Sequence, residues 1–420
     1  MYHITHLPNG LRLATVEMPH MASISIGIWV GVGSRCELKS ESGISHFIEH
    51  MLFKGTKRRT ALEISQEIEG IGGYINACTS EENTCYHARA HAKHAAKLMD
   101  VLADMYLNPV FNRQEISRER NVIKEEIAMT YDQPSQHVLE LSDNTLWPDQ
   151  PLGRSIAGNE QTLNSTRQRN LTSFHSNHYV SGSTVVVAAG NIRHKELSHL
   201  ARTLAKRIPK GSLSKWFPAI QKQTTPKVCL FTRDIEQTQL ALGIRTCSRH
   251  DPRRFALRLL NTLLGENMSS RLFRSIREEH GLAYNIYSTP NFYHDTGSLT
   301  IAAGLDTAKT EKALKLTIEE LKKLRNQAPS VGELRRSRDY LIGQLELSLE
   351  STDNQINWVA EQLLAFEKII PPDQIKDKLH KVRPSDIRKA AIDFFRSENI
   401  CLSMVGPIKS KRSLKKYLEI

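Results

Sequence analysis

Two histidines and a glutamate lie within five positions of one another in GISHFIEHMLFKGT, residues 43–56. If residues 43–54 form a helix, with Ser42 as its N-cap and Gly55 just past its end, His46 and His50 stand one turn apart. Histidines at this spacing can direct two imidazoles at one cation, and Glu49 shares their face. The pattern predicts a metal site, although an ordinary solvated helix with two titrating histidines has the same periodicity.

A catalytic zinc site requires a third protein ligand, usually a carboxylate, and keeps a fourth position open for water. The segment SRERNVIKEEIAMT has helical character and places two glutamates, Glu119 and Glu126, seven residues apart on one side. The spacing alone does not choose between them. This second helix is therefore the predicted source of the missing ligand.

The composition describes the kind of chain that must position these residues. It has 420 residues, 40% of them hydrophobic and 24% charged, which indicates a globular protein of at least two domains. No apolar run reaches the roughly 20 residues of a membrane span, and no signal peptide pattern opens the chain.

The charge of +12 is spread out and not interleaved with aromatics, which argues against nucleic acid as a partner. Six scattered cysteines without a Cys-x-x-Cys pair favour a reducing compartment, and we expect the cytoplasm.

Two apolar segments of the first half recur in the second half at one offset. Gly27 aligns with Gly243, and Gly190 aligns with Gly406, each at a shift of 216 residues. The repeat predicts an N-terminal domain at 1–207, a Pro/Gly/Ser-rich linker at 208–226 and a homologous C-terminal domain at 227–420. Since strands and helices do not alternate as β-α-β units, we expect an α+β fold. Each domain would be a mostly antiparallel sheet flanked by helices, and together they would form half of a clamshell.

The combination of GISHFIEHMLFKGT with RERNVIKEEI, in which Glu126 follows His50 by 76 residues, resembles the pitrilysin family of zinc peptidases. Within that family the chain is most similar to the short members related to mitochondrial processing peptidase and its bacterial relatives. The resemblance implies one zinc ion held by His46, His50 and Glu126, with Glu49 as general base. It also implies a supporting role for Glu119 outside the metal ligands.

The same resemblance assigns a substrate strand to GGYINACTSEENTCYHA. An extended peptide would pair its backbone with this strand near its substrate-binding residues, which are Asn76, Ala77, Thr79 and Glu82. The alternative is that Asn76 and Glu82 only shape a hairpin.

In the second half, SSRLFRSIREEHGLAYNIYS reads as a helix capped by Ser269 or Ser270, stopped by Gly281 and followed by a strand. Taken alone, Arg277 and Tyr284 are an exposed helix residue and a half-buried strand residue. The family resemblance implies instead that Tyr284 donates to the developing oxyanion and Arg277 holds the substrate backbone. The segment TLLGE, 262–266, which aligns with the histidine motif, has no metal ligands of that type, so one zinc per chain is expected.

Three further features bear on function. His87, His91 and His94 form a second histidine cluster, but a change from strand to helix near His91 would prevent a shared face. Cys78 and Cys85 are more typical of small core residues than of nucleophiles. The stretch TYDQPSQHVLELSD has an amide at Gln136 where the mitochondrial enzyme has acidic residues that bind presequence arginines.

The sequence thus predicts a zinc metalloendopeptidase that hydrolyses peptide bonds in unfolded peptides. Because family members use four repeats to enclose a chamber and this chain has two, we expect a homodimer, with no nucleic acid or membrane partner; a monomer whose two domains form the clamshell is the other possibility. The alternative is a non-catalytic peptide-binding or scaffold subunit of a pitrilysin-like heterodimer.

Overall fold

A computed structural model describes residues 2–408, 410 and 412–420. Met1 and two lysines of the basic C-terminal tail, Lys409 and Lys411, lie outside the described residues. No helix in the described part of the chain is both long enough and apolar enough to cross a membrane.

The strands form two sheets. In chain order they are β1 Tyr2–His6, β2 Arg12–Glu17, β3 Ser23–Val30, β4 Tyr74–Thr79, β5 Thr84–His91, β6 Thr184–Gly190, β7 Lys227–Thr232, β8 Gln237–Thr246, β9 Ala283–Phe292, β10 Gly297–Asp306 and β11 Ile400–Gly406. The first sheet has the order β1-β2-β6-β3-β5-β4 and the second the order β7-β11-β8-β10-β9. Each contains one parallel pair, β2 with β6 and β7 with β11, and is otherwise antiparallel. The predicted α+β class with mostly antiparallel sheets is confirmed.

The α-helices of the described residues, in chain order, are α1 Ile44–Leu52, α2 Ala61–Glu69, α3 Ala95–Leu107, α4 Arg113–Asp132, α5 Pro134–Leu146, α6 Glu160–Ser165, α7 Gln168–His178, α8 His194–Leu200, α9 Arg202–Arg207, α10 Arg254–Asn261, α11 Thr310–Asn326, α12 Val331–Ser348, α13 Thr352–Phe366, α14 Pro372–His380, α15 Pro384–Phe394 and α16 Arg412–Lys415. Two π-helical segments, Thr262–Glu266 and Phe273–Glu279, lie between α10 and β9.

The chain divides into two compact units that each take a piece from the other half of the sequence. The first unit comprises 1–127, 155–217 and 346–370, and the second comprises 128–154, 218–345 and 371–420. Within the first unit, α13 packs on β3 and β6, whereas in the second unit α5 packs on β8 and β11. The repeat predicts domains made of consecutive residues. Each compact unit instead includes one helix from the other half of the sequence, α13 in the first unit and α5 in the second.

The repeat is visible in the sheets, although one constant shift does not superimpose them. Gly27 lies opposite Val187, but Gly243 lies opposite Cys401, which the 216-residue shift equates with Val185. The two strand pairs therefore differ in register by two residues. Because side chains alternate with a period of two, such a difference preserves the buried face, and the sequence pattern does not reveal it.

The glycines of the repeat differ in what they accommodate. A Cβ at Gly27 would lie 2.3 Å from the Trp29 ring, so Gly27 leaves room for that indole. A Cβ at Gly243 would lie 2.8 Å from Leu146 of α5, so Gly243 allows that helix to approach β8.

Candidate metal centre

Helix α1 is held by its apolar stripe and by an acidic cap. Phe47, Ile48 and Met51 are buried in the core of the first unit, which turns the two histidines to the opposite side. The predicted cap at Ser42 is wrong. The buried carboxylate of Glu37 instead accepts from the backbone N–H groups of Gly43 at 2.8 Å and Ser45 at 2.9 Å. Gly43, the residue at the N-cap position, adopts φ +93°, a conformation that favours glycine.

Glu126 of α4 meets both imidazoles of α1. Its Oε2 lies 3.8 Å from His46 Nε2 and 3.5 Å from His50 Nε2, and the imidazole centroids are 4.6 Å apart. Ligand atoms of these three residues lie within 4.8 Å of one another, and no other group of three such residues in the described part of the chain does so. Two imidazole nitrogens and a carboxylate oxygen are a donor set that zinc accepts, so these residues fit the implied metal.

Glu119 lies behind His50 rather than among the three converging donors. Its Oε2 is 3.1 Å from His50 Nδ1, and its Oε1 is 2.8 Å from the ammonium of Lys54. The Glu119 side chain is only 6% exposed, so this carboxylate depends on protein partners rather than on solvent. A carboxylate at the far nitrogen of a metal-binding histidine fixes the tautomer and the orientation of the ring.

Burial keeps His46 ready to act as a ligand. Desolvation, and secondarily the proximity of His50, lower the pKa of His46 to about 4. The imidazole is therefore neutral near pH 7, which is the form that binds a metal. The buried Nδ1 of His46 has no hydrogen-bond partner among the described residues, whereas Nδ1 of His50 lies next to the Glu119 carboxylate.

Glu49 is next to His50 in sequence and is bound by the substrate strand proposed above. Thr79 donates its hydroxyl to Glu49 Oε2 at 2.5 Å. Burial raises the pKa of the Glu49 carboxyl, and the hydrogen bond from Thr79 opposes part of that rise. A carboxylate in this environment is a better proton acceptor than one in water.

The four residues expected to bind substrate lie at or near β4, the edge strand of the first sheet. Asn76 Oδ1 accepts from the Ala77 backbone N–H at 2.8 Å. Glu82, in the turn between β4 and β5, accepts from the buried guanidinium of Arg35 at 2.6 Å. The structure thus gives Thr79 a contact with the metal centre and Glu82 a contact with a buried cation, while their roles toward substrate stay predictions.

Arg277 and Tyr284 lie together in the second unit. Arg277 belongs to the π-helical segment Phe273–Glu279, and its guanidinium lies 4.6 Å from the centroid of Phe273 and 5.2 Å from that of Tyr284. Tyr284, at the start of β9, is 81% exposed rather than half-buried. Neither of the serines predicted to cap this helix does so through its hydroxyl, although the Ser270 carbonyl accepts from the Arg274 backbone N–H. Ser269 donates its hydroxyl to Asn267, and the buried Ser270 hydroxyl has no partner among the described residues.

The ligand atoms of His87, His91 and His94 do not converge as those of His46, His50 and Glu126 do. β5 ends at His91, and that imidazole accepts from the Lys93 backbone N–H at 3.3 Å. Sequence reasoning missed Lys54 and Glu37, which contact the centre or its helix. Both flank the histidine motif closely, but no periodicity distinguishes them from surface charges.

Comparisons with known proteins agree with this geometry. The family model described as insulinase (peptidase family M16) matches residues 12–160, and the model described as the peptidase M16 inactive domain matches 167–341. The chain is 35% identical to an uncharacterized zinc protease of Streptomyces coelicolor over 97% of this chain and 90% of that protein. It is also 35% identical to an uncharacterized zinc protease of Bacillus subtilis over 95% and 97% of the two chains.

Two solved structures have the same fold. A protease from Helicobacter pylori superimposes with a TM-score of 0.90 at 22% identity, covering 96% of this chain and 99% of that one. A peptidase M16 inactive domain from Pseudomonas fluorescens gives a TM-score of 0.89 at 18% identity, covering 97% and 99%. Full-length similarity at 35% identity and both domain matches lead to one conclusion: this chain is a short, two-domain member of the M16 (insulinase/pitrilysin) peptidase family.

Proposed function

We propose that this protein is a zinc metalloendopeptidase that hydrolyses peptide bonds in unfolded peptides. The observation that carries the proposal is the convergence of Glu126, from α4, on the imidazoles of His46 and His50. These side chains would hold one zinc ion, which would act as a Lewis acid and lower the pKa of a coordinated water toward neutrality.

Glu49 would act as the general base. Its carboxylate would take a proton from the attacking water, and its raised pKa brings it closer to the pH at which such a transfer is efficient. Thr79 would hold that carboxylate in place through its hydrogen bond. Lys54 and Glu119 form a charged pair behind His50 and lie outside the donor set.

Substrate binding would use β4, the edge strand of the first sheet. An extended peptide can add to β4 as a further strand, which recognises backbone rather than sequence. The Ala77 N–H is hydrogen-bonded to Asn76 Oδ1. Both groups would have to adjust when the substrate backbone pairs with β4. Tyr284 would donate to the developing oxyanion and Arg277 would hold the substrate backbone.

The alternative is a non-catalytic peptide-binding or scaffold subunit. The inactive-domain model matches 167–341, which leaves the three proposed ligands and Glu49 in the part matched by the peptidase model. A retained base and a complete ligand set favour the enzyme over the scaffold.

Metal content and cleavage of a quenched peptide, measured together, test the proposal. We expect wild type to bind one zinc per chain and to cleave. Glu49→Gln should keep the zinc and lose activity by about 10²–10⁴-fold, the usual contribution of a general base. Glu69→Gln, an exposed glutamate of α2, is the control and should match wild type. Equal rates for Glu49→Gln and wild type would refute the role of Glu49, and a zinc-free, inactive wild type would favour the scaffold.

We also propose a homodimer in the cytoplasm. Two repeats per chain support the dimer, and six free cysteines suit a reducing compartment. Light scattering on the purified protein distinguishes a dimer from a monomer.

A further inference from the structure

We infer that Lys54 is a positioning residue for the metal centre, acting on His50 through Glu119. The contacts form one chain: the Lys54 ammonium binds Glu119 Oε1 at 2.8 Å, and Glu119 Oε2 lies 3.1 Å from His50 Nδ1. The opposite nitrogen of His50 faces Glu126 at 3.5 Å. This inference rests on the zinc site proposed above.

The position of Lys54 in the fold explains why this contact matters. Lys54 follows α1, which carries both histidines, and its backbone N–H still bonds to the carbonyl of Met51. Glu119 lies two turns before Glu126 on α4. The Lys54–Glu119 pair therefore ties the two ligand-bearing helices together and helps set the distance between imidazole and carboxylate.

The ammonium also meets an electrostatic requirement of Glu119. A carboxylate that is 6% exposed needs charged or hydrogen-bonding partners, and Lys54 occupies the oxygen that His50 does not. Without Lys54, Glu119 could rotate away from His50 and free its imidazole to turn. His46 has no comparable partner at Nδ1 among the described residues, so the support given to His50 becomes more important.

The test compares Lys54→Met, Lys54→Arg and Lys57→Met in the full chain. Methionine keeps an unbranched side chain that lacks only the terminal ammonium position, arginine restores the charge, and Lys57 is an exposed lysine of the same loop. Zinc affinity is measured by competition with a chromophoric chelator, peptide cleavage as kcat and KM, and unfolding on the metal-free protein in EDTA.

We expect Lys54→Met to weaken zinc binding by about 10–100-fold, as is usual when an outer partner of a ligand is removed. kcat at limiting zinc should fall while KM stays unchanged, and Lys54→Arg should recover most of the affinity. Lys57→Met should match wild type throughout.

Unchanged zinc affinity in Lys54→Met would overturn the inference while leaving the proposed function intact. The inference would also be overturned if zinc affinity fell only because metal-free Lys54→Met unfolds, and if Lys54→Arg did not restore that affinity. A wild type that neither binds zinc nor cleaves would refute the proposed function itself, so the two failures are distinguishable.

A separate observation concerns the cysteines of β4 and β5. Cys78 and Cys85 lie directly opposite each other in the ladder, and their Sγ atoms are 2.9 Å apart. We propose that this pair is a peroxide-sensitive thiol switch that links β4, the proposed substrate strand, to β5. The expectation of small core residues is confirmed for Cys85, which lies in a hydrophobic core cluster, and is wrong for Cys78, which is exposed. Opposite residues of an antiparallel pair have Cα atoms about 4.5–5.5 Å apart, within the range that a disulfide spans without backbone movement.

The two thiols differ in solvent exposure and in pKa, as the reactive and resolving cysteines of a redox sensor do. Cys78 is exposed and Cys85 is buried. The hydrogen bond from the Cys85 thiol lowers the pKa of Cys78, and the same contact together with burial raises the pKa of Cys85. Cys78 is therefore the thiol that reacts first and Cys85 the resolving partner.

The reaction would balance with hydrogen peroxide as the oxidant. The Cys78 thiolate attacks one peroxide oxygen, the O–O bond breaks, and the departing hydroxide takes a proton to become water. Cys85 then attacks the Cys78 sulfenic sulfur, the S–S bond forms, the S–O bond breaks and a second water leaves. Two thiols are oxidised to one disulfide, and one peroxide is reduced to two waters.

The bridge would join β4 to β5 immediately beside Thr79, which binds Glu49. We expect peroxide to produce an intrachain Cys78–Cys85 bridge, mapped by non-reducing mass spectrometry, and to lower peptide cleavage until a thiol reductant restores it. Cys78→Ser should keep its activity under the same treatment. Absence of the bridge in folded, peroxide-treated wild type would overturn the proposal, and so would a bridge that leaves cleavage unchanged.

Discussion

At the scale of single residues, the structure separates side chains that are alike in sequence. Glu119 and Glu126 lie on the same helix, yet only Glu126 faces both imidazoles while Glu119 pairs with Lys54. Glu49, on the same turn as His50, differs again because it is bound by Thr79. Donor identity is thus a property of the sequence, whereas the role of each donor depends on what it contacts.

A half-buried histidine of α7, His175, predicts how the free energy of unfolding responds to acid. Burial lowers the pKa of His175 to about 4, and its Nε2 lies 3.0 Å from the Tyr106 carbonyl oxygen. Because the unfolded chain binds this proton near pH 6.5 and the folded one near pH 4, the stabilisation is complete above pH 6.5 and is lost as the pH falls toward 4. The loss should amount to at most about 3 kcal/mol.

Urea unfolding of the metal-free protein between pH 7 and pH 4 measures this slope. His175→Phe should unfold with a shallower pH dependence than wild type, and His20→Phe, at an exposed histidine, should not. Parallel slopes for wild type and His175→Phe would contradict the assignment.

At the scale of elements, α1 shows which features of a helix the periodicity of its sequence predicts and which it does not. Its apolar stripe predicts the buried face, and Phe47, Ile48 and Met51 are indeed in the core. Its ends depend on partners elsewhere, since Glu37 caps the helix in place of Ser42. The helix that holds the histidines is therefore positioned by a residue outside its own span.

Removing this cap should destabilise the first unit. We expect Glu37→Ala to lower the free energy of unfolding by roughly 1.5–3 kcal/mol, because two backbone N–H groups lose a charged acceptor. Glu41→Ala, in the same segment before α1, should cost less than about 0.5 kcal/mol. Chemical denaturation of the metal-free proteins measures both, and equal costs would show that Glu37 does not act as a cap.

At the scale of the whole molecule, the duplication predicts two similar sheets, and the structure contains them with α5 and α13 exchanged between the two halves of the sequence. Among the described residues, a converging His-His-Glu group is found only in the first unit, and the corresponding segment of the second unit is the π-helical TLLGE. There the Glu266 carboxylate accepts hydrogen bonds from Arg258 and Thr262.

Zinc should therefore stabilise the protein through the first unit alone. We expect a chelator to abolish peptide cleavage and to lower the unfolding midpoint, with about 2.7 kcal/mol of stabilisation regained at zinc 100-fold above its Kd. Glu126→Gln should respond to zinc far less than wild type, and Glu125→Gln, at the exposed neighbouring glutamate, should respond normally. Equal zinc-dependent shifts in Glu126→Gln and wild type would exclude Glu126 as a ligand.

The sequence by itself determined the donor types, the amphipathic helix that carries His46 and His50, the duplication and the family resemblance. These follow from local periodicity and from motifs read along the chain. Only the tertiary structure decided that Glu119 meets His50 across 69 residues, that Lys54 holds Glu119, that Glu37 caps α1 and that Cys78 faces Cys85. Such contacts form when separate elements pack together, and charged or polar residues at their ends leave no periodic trace that would reveal the partner in advance.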